Sequence, residues 1–348
     1  MATRLNQSTK IWRLAKDLGI RSSNNPVSDI LNFCEKRIKK FLKEAIDCPS
    51  LSDFLCWVAG KLDTSFEEIH SDDDLAAIKA KYLKQGEKIF ATIDHEFSDE
   101  VLGITYRRSK REPWEPEFVS IIDCRGSNAA RAYFTKWHEV AHLLILTDQS
   151  RLCFMRTVHL SNKDPEEVVI DLIAGKFGFY NPFVKPLIKG EISFEQIETL
   201  RQTLCPEASN LASLIGIVKA WPEPCLLVLC KKGLKKSESR QLAAQHSFDF
   251  STLPIPVLRA IKVTPNEAAK EQGILIHENM RVPEHSVIYT VHSGKAESAD
   301  AMEDLSWWET SSGDILTKQK ISVKAKNYWG DTYALIIPKF NKAKPFKR

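Results

Sequence analysis

The stretch that most limits how this chain can fold is FTKWHEVAHLLI, residues 134–145. Its apolar residues recur at helical spacing, yet it carries His138, Glu139 and His142 in its middle. Burying two imidazoles and a carboxylate costs free energy unless each polar atom finds a hydrogen bond or an ion. Residues i and i+4 of a helix share a face, so His138 and His142 can aim at one point in space. That arrangement supplies two ligands of one Zn2+, with Glu139 placed to take a proton from a water in the open position. The same five residues also describe a helix with two half-buried histidines and a surface glutamate, so the surrounding sequence has to decide.

A third ligand is expected from a carboxylate on a neighbouring helix. KDPEEVVIDLIAGKFGFY signals a helix start, with Asp164 as its cap, Pro165 in the first turn, and Glu166 and Glu167 beside the positive helix end. Within VVIDLIAGKF, Asp171 interrupts an apolar run on both sides. An ionised carboxylate is costly to bury there unless something positive meets it, and a zinc ion held by His138 and His142 would do so. Glu167, one turn earlier on the same face, is the competing ligand, or supports the ligands from behind.

The rest of the chain predicts an α+β protein. Residues 28–46, 50–62 and 73–90 carry apolar side chains at helical spacing, whereas VLGITYRR (101–108) and EFVSIIDC (117–124) are short and β-branched, as strands are. Residues 193–221 suggest two or three short helices of a helix-turn-helix kind. From about residue 224 the chain turns strand-rich, with PCLLVLC, HSVIYTVH, KQKISVKAK and DTYALIIPKF all expected as strands. A length of 348 residues exceeds what one core usually supports. The boundary is placed near Pro222 and Pro224, giving a domain over 1–222, with the helix-turn-helix-like segment at about 190–222, and a second over 223–348.

Eight cysteines without a CxxC pair read as reduced thiols. With no apolar run of membrane-spanning length, the expectation is a cytoplasmic protein that does not enter the membrane. The net charge of +4 is uneven, because residues 224–348 carry 19 Lys and Arg against 13 Asp and Glu. KKGLKK (231–236) and the tail NKAKPFKR are the basic runs that nucleic acid could meet.

The stretch IIDCRGSNAARAYFTKWHEVAHLLI resembles the strand, loop and helix of the ImmA/IrrE metallopeptidases, in which an arginine and an aromatic-Thr pair precede HExxH; here these are Arg131, Phe134 and Thr135. The later helix of that family carries an acidic residue, then alanine three on and phenylalanine six on, matched by Asp171, Ala174 and Phe177. The resemblance covers roughly residues 85–220. It implies a mainly helical zincin-like metallopeptidase domain with a small sheet, Asp171 as third zinc ligand, and cleavage of a partner helix-turn-helix repressor in response to DNA damage or phage stress. The family more often has glutamate at the third position, which keeps Glu167 in play. At the level of architecture the resemblance also implies a mixed α/β GAF-like sensor domain after the peptidase, and a regulatory role of the kind found in CBASS anti-phage operons.

Cys124 lies 14 residues before His138, at the end of the strand leading into the helix, and is a candidate inhibitory fourth ligand whose thiolate would exclude water from the metal. His159, Tyr133 and Tyr180 are further polar groups near the motif without an assigned role. In the second domain, basic residues with Trp307, Trp308, Tyr328 and Trp329 suit single-stranded DNA as an activating signal. The competing expectation is a DNA-binding transcriptional regulator in which HExxH is vestigial.

Overall fold

In this computed structural model the described residues are 5–21, 24–98, 100–147, 153–157, 164–235, 238–240, 254–274, 276–310, 313–328 and 330–339. Lys236, His159, Trp329 and the tail NKAKPFKR therefore lie outside the described residues. The protein is mixed α+β with two small sheets, and the chain divides into two compact units, one of Met1–Val184 with Thr199–Gly216, the other of Lys185–Glu198 with Ile217–Arg348. Among the described residues no helix is long and apolar enough to cross a membrane.

The first unit opens with helices α1 (Thr9–Asp17), α2 (Pro26–Glu44) and α3 (Leu51–Lys61), followed by β1 (Thr64–Ile69) and α4 (Asp72–Lys84). Strands β2 (Val101–Arg107) and β3 (Phe118–Asp123) lead into helix α5 (Ala132–Leu144), then β4 (Cys153–Thr157) and helix α6 (Pro165–Phe177). The four strands lie in the order β1-β3-β2-β4; β1 is parallel to β3, and the other pairs are antiparallel. Strand β1 was not foreseen, because Glu67 and Glu68 break the apolar pattern of TSFEEI.

Side chains alternate across a sheet, and this alternation builds the site. Ile104, Tyr106, Val119 and Ile121 join a core with Leu75, Ile78 and Tyr82 of α4. The intervening Gly103, Thr105 and Ser120 project to the other face, where α5 packs. Helix α5 also packs on α6, whose start is built as the sequence indicates: the Asp164 side chain accepts from the Glu166 amide at 3.0 Å and Pro165 occupies the first turn.

Two helices, α7 (Phe194–Leu204) and α8 (Asn210–Ala220), occupy the helix-turn-helix-like segment. The second unit is built on β5 (Leu226–Gly233), β6 (Val257–Pro265), β7 (Ser298–Asp304), β8 (Lys320–Tyr328) and β9 (Asp331–Pro338), ordered β6-β5-β9-β8-β7 with every neighbour antiparallel. HSVIYTVH, expected as a strand, is instead helix α9 (Val287–His292). The Ser286 side chain caps it by accepting from the Ile288 amide, and Ile288 and Val291, three apart, are buried in the core of this unit. Tertiary packing thus overrides the strand preference of Val, Ile and Tyr. Trp308 is fully buried in the same core and Tyr328 packs on Phe194 at 5.6 Å. Of the aromatics expected to stack on bases, Trp307 is the one exposed among the described residues.

Candidate metal centre

Helix α5 is buried along most of its length, and His138, Glu139 and His142 are all at most 2% exposed. The two imidazoles point their Nε2 atoms at each other across 3.2 Å. Glu167 of α6 closes the triangle, with Oε2 3.2 Å from His138 Nε2 and Oε1 3.6 Å from His142 Nε2. A tetrahedral zinc ion with nitrogen and oxygen ligands near 2.1 Å has ligand-to-ligand edges of about 3.4 Å. The three separations match that figure, and the donors, two imidazoles and a carboxylate, are those zinc takes in hydrolytic sites. His138, His142 and Glu167 therefore form a group that could hold a metal ion.

The structure gives Asp171 a different place from the one expected. Its Oδ1 lies 3.0 Å from His138 Nδ1, the ring nitrogen opposite the one that faces Glu167. The reason is helical geometry: Asp171 sits one turn beyond Glu167 on α6, so the two carboxylates reach opposite edges of the same ring. A carboxylate at Nδ1 keeps the proton there and leaves the Nε2 lone pair for a metal, which is how ligating histidines are commonly oriented. Burial alone would pull His138 below the usual histidine range, but the bonds to Asp171 and Glu167 outweigh it and the net shift is upward.

Glu139 faces the sheet. Thr105 Oγ1 donates to its Oε2 at 2.7 Å, Thr105 is 2.7 Å from Ser120 Oγ, and Ser120 is 3.4 Å from Thr64 Oγ1, so a row of hydroxyls crosses β2, β3 and β1 to the carboxylate. Its other oxygen, Oε1, is buried without a protein partner. Leaving such an oxygen unsatisfied is costly, and a carboxylate held with one oxygen anchored and one unclaimed is the form a proton acceptor takes. Burial pushes the Glu139 carboxyl above the ordinary range, partly offset by His138 and Thr105. The absence of a side chain at Gly103 makes this placement possible, since a Cβ there would lie 2.7 Å from Thr135 Cγ2 and 3.3 Å from Glu139 Oε1.

Arg156, on β4, was not found by sequence reasoning. Its Nη1 donates to Thr135 Oγ1 at 2.6 Å and its guanidinium lies 4.8 Å from the centre of the Phe134 ring. Burial pulls it below the usual arginine range while Asp171, Glu139 and Glu167 act in the opposite sense. The group thus brings a fixed positive charge to a site with three carboxylates. The signal in the sequence was indirect: the Phe134-Thr135 pair is what receives this arginine.

Other sequence candidates fall elsewhere. Cys124 is not among the atoms that converge with His138, His142 and Glu167; it lies at the end of β3 with Glu68 and His70. Its thiol is pushed up to about 11 by burial and by Glu68. Tyr133 donates to the Gly178 carbonyl at 2.6 Å, and Tyr180 stacks on Phe54 at 6.1 Å, so both serve the core. What the fold and the site define is a class, a mixed α+β protein with a buried two-histidine, one-glutamate group suited to a metal. Compared with protein-family models and with curated proteins, the chain matches none.

Proposed function

We propose that this protein is a zinc-dependent endopeptidase whose first unit is a zincin-like metallopeptidase. The observation that carries the reading is the convergence of His138 Nε2, His142 Nε2 and Glu167 within the separations of a tetrahedral ion, beside a buried Glu139 with one oxygen unclaimed. A zinc ion in such a site supplies a Lewis acid that lowers the pKa of water towards neutrality and polarises a carbonyl. The chain's own residues do the rest. Asp171 holds the proton of His138 on Nδ1. Thr105 fixes the Glu139 carboxylate through Oε2, so that Oε1 accepts the proton of the attacking water and returns it to the leaving amine. Arg156, held by Thr135, sets a positive charge against the three carboxylates of the site.

The substrate proposed from the resemblance to the ImmA/IrrE family is a helix-turn-helix transcriptional repressor, cut in response to DNA damage or phage stress. Residues 223–348 are proposed as a GAF-like sensor for which single-stranded DNA is the signal. The test is incubation of the purified chain and zinc with candidate helix-turn-helix repressors, those encoded by neighbouring genes first, with and without a single-stranded oligonucleotide. The reading expects a single cut that Glu139→Gln abolishes while zinc is retained. Absence of zinc from the wild-type chain would instead favour a DNA-binding regulator with a vestigial motif.

A further inference from the structure

The parallel pair β1/β3 ends at Ile69 and Asp123, which are in register, and the chain just beyond stays paired through the Cys124 amide bonded to the Ile69 carbonyl at 2.8 Å. His70 is the first residue past β1, two on from Glu68, and Cys124 is the first residue past β3, two beyond Ile122, the partner of Glu68. Side chains two apart share a sheet face, and carried one residue past each strand end this alternation brings the three to the same side at the C-terminal end of the parallel pair. Glu68 Oε2 is 3.1 Å from His70 Nε2 and 3.9 Å from Cys124 Sγ, and the three ligand atoms all lie within 4.8 Å of one another.

We propose that Glu68, His70 and Cys124 form a second metal site, open to solvent, for a zinc-class divalent cation. The donor set selects the class: thiolate and imidazole favour zinc and its neighbours, whereas magnesium and calcium demand oxygen. The two separations from Glu68 are close to tetrahedral edges, which are about 3.6 Å between sulfur at 2.3 Å and oxygen near 2.1 Å and about 3.4 Å between oxygen and nitrogen. Lys136 takes the other oxygen, donating to Glu68 Oε1 at 2.5 Å, which neutralises part of the carboxylate charge and leaves Oε2 turned towards His70 and Cys124. Binding replaces the Cys124 proton by the cation and releases that proton to water. The site is independent of the His138 centre, so it stands whether or not the peptidase reading does.

Cobalt(II) is the probe, because a cobalt–thiolate bond gives a charge-transfer band in the near ultraviolet. The full-length His138→Ala/His142→Ala variant, which has lost the first centre, is expected to bind one cobalt ion with that band. Adding Cys124→Ser removes the band, and adding His70→Ala weakens binding by at least about tenfold, as loss of a ligand should. The wild-type chain carries the same readout if the double variant does not fold: its band should disappear in Cys124→Ser alone. No band in the wild-type chain, or a band that survives Cys124→Ser, overturns the proposal.

Discussion

Amide substitutions at Glu167 and Asp171 of α6 separate the proposed metal ligand from the residue proposed to orient it. Asp171→Asn removes the charge at His138 Nδ1, 3.0 Å away, but leaves both Nε2 atoms and Glu167 in place. Loss of such an outer partner typically weakens metal binding about 10–100-fold, or about 1.4–2.7 kcal/mol. Glu167→Gln removes a donor itself. A complete structural zinc site is worth about 10–16 kcal/mol, so one of three protein ligands carries roughly 3–5 kcal/mol, which is between two and four powers of ten in affinity. The assay is competition against a chromophoric chelator, run in a Cys124→Ser background so that the β1/β3 cluster does not contribute. Glu167→Gln should then lose far more zinc affinity than Asp171→Asn. If Asp171→Asn costs as much or more, Asp171 is the ligand and the roles assigned to the two carboxylates are reversed.

Gly103→Ala should destabilise the chain by about 1–3 kcal/mol, as overpacking does, because its Cβ would meet Thr135 at 2.7 Å and Glu139 at 3.3 Å; urea unfolding measures it, and an unchanged midpoint would show that Glu139 is free to move. Thr105→Val strips the donor from Glu139 Oε2 and should cost about 1–3 kcal/mol in the same measurement, and under the proposed function it should lower peptidase activity more than zinc content. Glu303 is buried and its carboxyl is pushed above the ordinary range by that burial, partly offset by the Val287 amide and Ser286. Its folded-state value is the raised one, so the native state binds the proton more tightly and the wild type loses stability as pH rises from its unfolded value of about 4.3. Glu303→Gln keeps an acceptor for the Val287 amide and should raise the melting temperature at pH 7–8 relative to wild type, with the gain fading towards pH 4. A gain independent of pH would refute the charge argument.

The site's polar centre was legible because His138, Glu139 and His142 have to be compensated wherever the helix is buried, and because Asp171 stood in an apolar run. The choice between Asp171 and Glu167 was not legible. Both lie on the helix face that meets α5, and only the direction of the His138 ring decides which of its nitrogens each carboxylate reaches. Thr105, Ser120 and Arg156 were hidden for another reason: each sits on a strand whose apolar neighbours dominate the pattern, and their meaning depends on which strands pair. Strand β1 was missed because two glutamates interrupt it, and one of them, Glu68, belongs to the cluster with His70 and Cys124. The helix at Val287–His292 shows the converse, a β-branched segment turned helical by a serine cap and a core that accepts Ile288 and Val291.

The most direct test is an anomalous-scattering map at the zinc edge from crystals of the full chain grown with zinc. A zinc site of this geometry should give a peak bonded to His138 Nε2, His142 Nε2 and Glu167 at about 2.0–2.2 Å, with Asp171 remaining on His138 Nδ1. No peak between these three residues, or a peak bonded to Asp171 with Glu167 turned away, would contradict it.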